Sequence, residues 1–232
     1  LVNILPLMDG EKITVMLPVP TDEGTYFVNM VTKNGVIKRT DLSLYAHVRK
    51  TGVIAINLDD DDELAFVNVT NGDNQLIVAT KKGMAIRFNE SDIRPLGRTA
   101  RGVRAIKLAE GDEIIGMIVA KEGDRVLTVT ETGFGRISEI SDYRVQSRGG
   151  KGLINYKTAK YGNVAAVISP DEDDDLIMIS SSGIIIRIHL GELNVYRRPG
   201  KGVKVMRIDE GAKLLTVVVA PLDEEEITKH PD

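Results

Sequence analysis

The feature that most constrains this chain is an internal repeat of about 50 residues. Glycines at Gly52, Gly102, Gly152 and Gly202 each follow a basic or polar residue and each open an apolar alternating run: VIAINL, VRAIKL, LINYKT and VKVMRI. A fifth copy, VNILPL, starts at Val2. A second marker keeps the same beat, with TKNG ending at Gly35, TKKG at Gly83, TETG at Gly133 and SSSG at Gly183. Apolar runs rich in Val, Ile and Leu stand on either side of each of these turns. Self-similarity at such a period means a solenoid or a radial array, since one unit cannot bury both of its faces alone.

Inside a repeat the runs are short and are separated by Gly, Asp and Asn turn signals, which is strand patterning. In the second copy the expected strands are 53–58, 64–70, 75–80 and 84–88, leaving room for no more than a single turn of helix. Four strands per repeat around an axis is propeller arithmetic. The reading is an all-β ring of four-stranded blades, one domain over 1–232. Its repeats are expected at about 2–52, 53–102, 103–152 and 153–202, with a partial copy at 203–222 and an acidic tail at 223–232. The opening in mid-pattern leads us to expect a piece of a longer polypeptide, with at least one blade missing on the N-terminal side.

Composition narrows the function. Cysteine and tryptophan are absent, so no disulfide or thiolate metal site is available. No apolar run approaches the roughly 18 residues of a membrane span, and a cytoplasmic, membrane-free protein is expected. The net charge of -4 argues at first against a polyanionic partner. Yet 14 of the 34 carboxylates sit in three blocks at 59–63, 171–175 and 223–226, leaving 30 basic against 20 acidic groups elsewhere.

Those basic groups fall in register. The loop before each repeat glycine carries Arg49 and Lys50, then Arg98 and Arg101, then Arg144, Arg148 and Lys151, then Arg197, Arg198 and Lys201. Just after the glycine come Arg104, Lys107, Lys204 and Arg207, and the strand after each TxxG turn adds Lys38, Arg39, Arg87, Arg136 and Arg187. Repetition turns a few cations per blade into a belt, which suits the phosphates of a curved duplex. The acidic turns would keep the opposite surface off the polyanion. They lack the central Gly and terminal Glu of an EF-hand, so no metal is assigned.

Two stretches resemble one family. The segment 83–113, GMAIRFNESDIRPLGRTARGVRAIKLAEGDE, is similar to the most characteristic stretch of the C-terminal DNA-wrapping domains of DNA gyrase A subunits. The segment 146–152, QSRGGKG, resembles that family's QRRGGKG box, with Ser147 in place of the second residue. The resemblance spans all repeats. It implies a β-pinwheel, in which neighbouring blades exchange strands, and wrapping of double-stranded DNA on a basic rim. The family box normally stands in the first blade, so 146–152 is expected to be a later, degenerate copy. Independently of the family, Gly149, Gly150 and Gly152 would let backbone N–H groups approach phosphate while Gln146, Arg148 and Lys151 flank them.

The resemblance further implies a bacterial, nucleoid-associated parent in which two kinds of subunit form an A2B2 assembly that uses ATP and Mg. The fragment itself would be monomeric and without cofactor. The paralogous domain of the topoisomerase IV A subunit is the nearest alternative, and a propeller-like protein-interaction module a more distant one, poorly served by 4% aromatics. A propeller glycosidase would need paired carboxylates in a central pocket, whereas the clustered Asp residues belong to turns. A P-loop is excluded because Gly150-Lys151 and Gly200-Lys201 are each followed by Gly, not Ser or Thr. His47, His189 and His230 are isolated, and no tyrosine stands in the Arg-Tyr-Thr context of a DNA-cleaving topoisomerase. No catalytic residue is therefore assigned.

Overall fold

The computed structural model describes residues 13–47, 52–171 and 173–220. It is built from antiparallel sheets arranged as four successive blades. Blade A begins with a hairpin of β1 (Phe27–Thr32) and β2 (Val36–Asp41), and β3 (Leu64–Thr70) pairs with β1. Blade B repeats this with β4 (Gln75–Thr80), β5 (Met84–Asn89) and β7 (Ile114–Ala120). Blade C uses β8 (Arg125–Thr130), β9 (Phe134–Glu139) and β11 (Val164–Ile168), and blade D uses β12 (Asp175–Ser180), β13 (Ile185–His189) and β15 (Leu214–Ala220).

The fourth strand of a blade comes from the following repeat. Strand β6 (Val103–Arg104) leaves the chain of blade B to pair with β2 of blade A. Likewise β10 (Leu153–Ile154) joins β5 of blade B, and β14 (Val203–Lys204) joins β9 of blade C. This is the strand exchange that distinguishes a pinwheel from a simple propeller. Among the described residues blade D has three strands, and no exchanged strand lies beside β13.

Two expectations need correction. The unit read from the second copy is divided between blades, because 64–70 belongs to blade A while 75–80 and 84–89 open blade B. The turn at 71–74 is thus a crossing between blades, although its Asn-Gly-Asp-Asn composition is that of a hairpin turn. The apolar runs after the repeat glycines form only two paired residues each, and 53–58 forms no strand. Their remaining residues turn into the blade interfaces, as buried Ala105 and Ile106, Asn155 and Tyr156, and Met206 show. The strand expected at 2–7 and the tail expected at 223–232 fall outside the described residues.

Among the described residues, helix is confined to single 3-10 turns after the hairpins and one α-turn, α1 (Thr158–Tyr161). No helix there is long and apolar enough to cross a membrane.

The cores lie between blades. Val31 and Ile37 of blade A meet Leu76, Val78, Ile86 and Phe88 of blade B. Ile77, Ala79 and Ile118 of blade B meet Val126 and Val164 of blade C, and Leu127, Val129 and Ile137 of blade C meet Leu176, Met178 and Leu214 of blade D. Burying one large aliphatic side chain is worth about 1.5–3 kcal/mol, so the sandwiching of each sheet by its neighbours is the main source of stability. Strands β3, β7, β11 and β15 touch one another from blade to blade and so mark the inner edge. The exchanged strands stand at the opposite edge, on the perimeter.

Candidate nucleic-acid interface

Each exchanged strand reaches the perimeter through the loop that follows a hairpin. Three segments take this path, 92–107, 142–157 and 192–207, and they carry five, four and five cations respectively against one carboxylate each. Register does the rest, since equivalent residues pair with equivalent strands in successive blades. Arg101, Arg104, Arg144, Lys151, Arg197, Lys201 and Lys204 are exposed along these segments, as are Lys107 and Arg207. Lys201 also lies 4.9 Å over the Phe134 ring.

The repeat glycines are set by this geometry. Gly152 has φ +74°, and a Cβ there would stand 2.3 Å from the Ala85 carbonyl oxygen of β5. The exchanged strand can thus approach its host only through glycine.

Several expected contacts are interior braces. Lys38 is 0% exposed. Its ammonium donates to the carbonyls of Gly97, at 3.2 Å, and of Ala55 and Arg98. Burial pushes its pKa down to about 8. Arg136 occupies the same strand position in blade C, is 1% exposed, and donates to the Gly200 carbonyl at 3.0 Å and to Asn155 Oδ1 at 2.9 Å. Both cations tie the arriving loop to the blade that it completes. Arg39 is buried beside Glu90 at 3.8 Å, with its guanidinium 3.8 Å from the Phe27 ring centroid.

Arg87 is half-buried and donates to Gln75 Oε1 at 2.8 Å and to the carbonyls of Ile140, at 2.8 Å, and Tyr143, at 3.1 Å. These four cations are therefore removed from the exposed belt. They sit on strands whose alternation turns them into blade interfaces. Arg187 pairs with Asp175 on the blade D hairpin, where His189 Nδ1 also lies 3.0 Å from Asp175. Arg49 and Lys50 lie outside the described residues.

The box-like loop departs from its expected role at one glycine amide. The Gly149 N–H donates to the Ala105 carbonyl at 2.6 Å, and Gly150 offers its carbonyl to Lys107 N at 2.8 Å. Gln146 N donates to the Arg87 carbonyl at 2.7 Å. The Gly149 amide is thus occupied by the chain just after the exchanged strand of the neighbouring blade, while Gly150 and Lys151 are exposed. Arg98, Arg148 and Arg198 are half-buried.

Not every acidic turn stays clear of the perimeter. Asp59 reaches Arg101 at 2.6 Å with both side chains exposed. Lys33 with Glu63 at 2.5 Å, Lys81 with Glu113 at 2.7 Å, and Lys213 with Glu131 at 3.4 Å tie turns together within and between blades. Among the described residues no three His, Cys, Asp or Glu side chains are placed to hold a metal ion.

Two exposed cations of the perimeter segments escaped the sequence reading. Lys157 stands in the register of Lys107 and Arg207, and Arg94 in that of Arg144. Column-by-column alignment of the repeats would have found both.

The family model described as DNA gyrase C-terminal domain, beta-propeller, matches residues 30–71, 74–121, 124–171 and 174–221. The DNA gyrase A subunit of Clostridium acetobutylicum is 50% identical over 101 residues, covering 44% of this chain and 12% of that protein. Its counterpart in Haemophilus influenzae is 42% identical over 102 residues, again 44% of this chain and 12% of the relative. Among solved structures, a DNA gyrase A C-terminal domain aligns with a TM-score of 0.80 at 28% identity, covering 93% of this chain and 72% of that one. A topoisomerase IV C-terminal domain aligns with a TM-score of 0.86 at 24% identity, covering 95% and 69%.

Proposed function

The chain belongs to the DNA gyrase C-terminal domain family, and from that premise we propose that its perimeter binds duplex DNA and bends it around the blade edge. The observation that supports this most is the three perimeter segments with 14 cations and 3 carboxylates, repeated in register from blade to blade. Arg101, Arg104, Lys107, Arg144, Lys151, Lys157, Arg197, Lys201, Lys204 and Arg207 are the groups assigned to phosphate. None is part of a groove-reading helix, so binding is largely indifferent to sequence. Bending a site of 20–30 base pairs costs on the order of 1–6 kcal/mol, which several phosphate contacts offset.

In this reading the domain, taken as the whole of 1–232, does no chemistry of its own. In a gyrase-type parent, wrapping would hand a DNA segment of fixed crossing to the cleavage core, and strand passage driven by ATP with Mg in an A2B2 assembly would yield negative supercoils. The setting would be the bacterial cytoplasm and its nucleoid.

The test is the slope of log Kobs against log salt for a duplex of arbitrary sequence. Neutralising Lys151, Lys201 and Lys204 together should reduce that slope by about 3, at roughly 0.9 per phosphate contact. Affinity that stays constant from low to moderate salt would remove the proposal. Relaxing plasmid with a type I topoisomerase in the presence of the chain then reads wrapping as a trapped linking-number change. The Gly149 amide, occupied by the Ala105 carbonyl rather than open to phosphate, favours a second reading. That reading is the equivalent domain of a topoisomerase IV, and it predicts binding with little trapped change.

A further inference from the structure

We propose that Arg148 and Arg198 are positioning residues that fix the angle between neighbouring blades and reach DNA only through the lysines beside them. The inference rests on the DNA-binding reading of the perimeter, and its geometry stands apart from it. Arg148 Nε donates to the Asp92 carbonyl at 3.0 Å and Nη1 to the Arg104 carbonyl at 3.2 Å. Asp92 belongs to the turn after the blade B hairpin, whereas Arg104 lies on the strand that this repeat lends to blade A. One guanidinium therefore spans the perimeters of two blades.

Arg198 repeats the arrangement one blade further on. Its Nε donates to the Asp142 carbonyl at 3.2 Å, its backbone N to Asp142 Oδ2 at 3.1 Å, and its Nη1 to the Ile154 carbonyl. Asp142 and Ile154 are the register equivalents of Asp92 and Arg104. Around Arg148 the backbone closes the same joint, through Gly149 N to the Ala105 carbonyl and Lys107 N to the Gly150 carbonyl.

A guanidinium is a rigid planar fork, so two carbonyls from different strands fix both its place and its plane. An ammonium can bridge carbonyls that converge on one point, as Lys38 does, but its donors rotate on a flexible stem and impose no plane. Lys151 and Lys201 follow three residues later in each loop and are exposed. The clamp thus sets where one blade's phosphate-facing lysine stands relative to the next, and with it the curvature imposed on the duplex.

The experiment uses the full chain and a duplex labelled at both ends for energy transfer, titrated over a range of salt. Lys151→Ala and Lys201→Ala should each reduce the salt slope by about 0.9 and leave transfer in the saturated complex unchanged. Arg148→Gln and Arg198→Gln should keep the slope and lower the saturated transfer, and Arg148→Lys should fail to restore it. An Arg148→Gln slope reduced by about 0.9 with transfer unchanged, or wild-type transfer in Arg148→Lys, makes the arginine a phosphate ligand and overturns the proposal.

Amide hydrogen exchange without DNA keeps the two readings separable. Arg148→Lys should speed exchange at Lys107 and Gly149, and unchanged protection there overturns the clamp whether or not DNA binds. Salt-independent binding by the wild type would instead sink the DNA reading alone.

Discussion

Glu90 shows how much a single buried group carries in this fold. Its side chain is 0% exposed and lies at the joint of blades A and B. Burial alone would raise its pKa. The Thr70 hydroxyl, the Asn74 amide at 2.7 Å, its side chain at 3.0 Å, and Asn29 at 3.2 Å outweigh that and hold the carboxyl below its ordinary value of 4.5. A depressed carboxyl contributes stability that is present above the unfolded-state pKa and lost as pH falls through the folded one. Glu90→Gln should therefore cost about 3 kcal/mol at neutral pH, because Arg39 is left buried without its counter-charge. It should also flatten the acid limb of the stability profile, measured by denaturant unfolding at a series of pH values. Parallel acid limbs for the two proteins would show that Glu90 is not the titrating group.

The same scale explains why the site was only partly legible in the sequence. Cations in register were visible, but which face of a strand they share was not. Lys38, Ile86, Arg136 and Ile186 form one column, and two of its four members are apolar. That mixture marks an interior position, and a charge there is a brace for loop carbonyls. Arg148 and Lys151 look alike as loop cations, and only the carbonyls around them separate a clamp from an outward-facing group.

At the level of elements, the period was legible and the phase was not. The turns at 32–35, 80–83 and 130–133 close hairpins, while those at 71–74 and 121–124 carry the chain between blades, yet both kinds are rich in Gly and polar residues. Local composition fixes that a turn exists, and long-range pairing decides what it joins. The exchanged strands are the least strand-like in length, two residues each, and are held by backbone approach at a glycine. Gly152→Ala and Gly202→Ala should each cost more than about 2 kcal/mol, since a Cβ would stand 2.3 Å from the Ala85 oxygen and 2.0 Å from that of Gly135 in a backbone region that L residues avoid. Thermal unfolding reads this, with Gly97→Ala as the control because its Cβ would meet nothing within 4 Å. Equal midpoints in all three would contradict the close-approach account.

Taken as a whole, the blades of the described residues are not equally covered. Ile77, Ala79 and Ile118 of blade B are buried against blade C. Their equivalents in blade D include Val218 at 48%, and the neighbouring Ile185 stands at 62%. In a repeat array stability is local, a sum of blade and interface contributions. Amides of β12 and β13 should accordingly exchange with solvent faster than those of β4 and β5. Equal protection in the two hairpins would mean that the array unfolds as one unit.

Because every blade from A to C borrows its outermost strand from the next repeat, none of these three is a self-contained piece of chain. Excising 74–121 would remove the hairpin of blade B together with the strand that completes blade A, but it would bring in 153–154 from the next repeat as a substitute of the same pattern. The lineage of such a chain can therefore gain or lose blades by whole-unit recombination without leaving a raw edge at the splice. A deletion that is not a whole repeat long orphans a donor or a host instead.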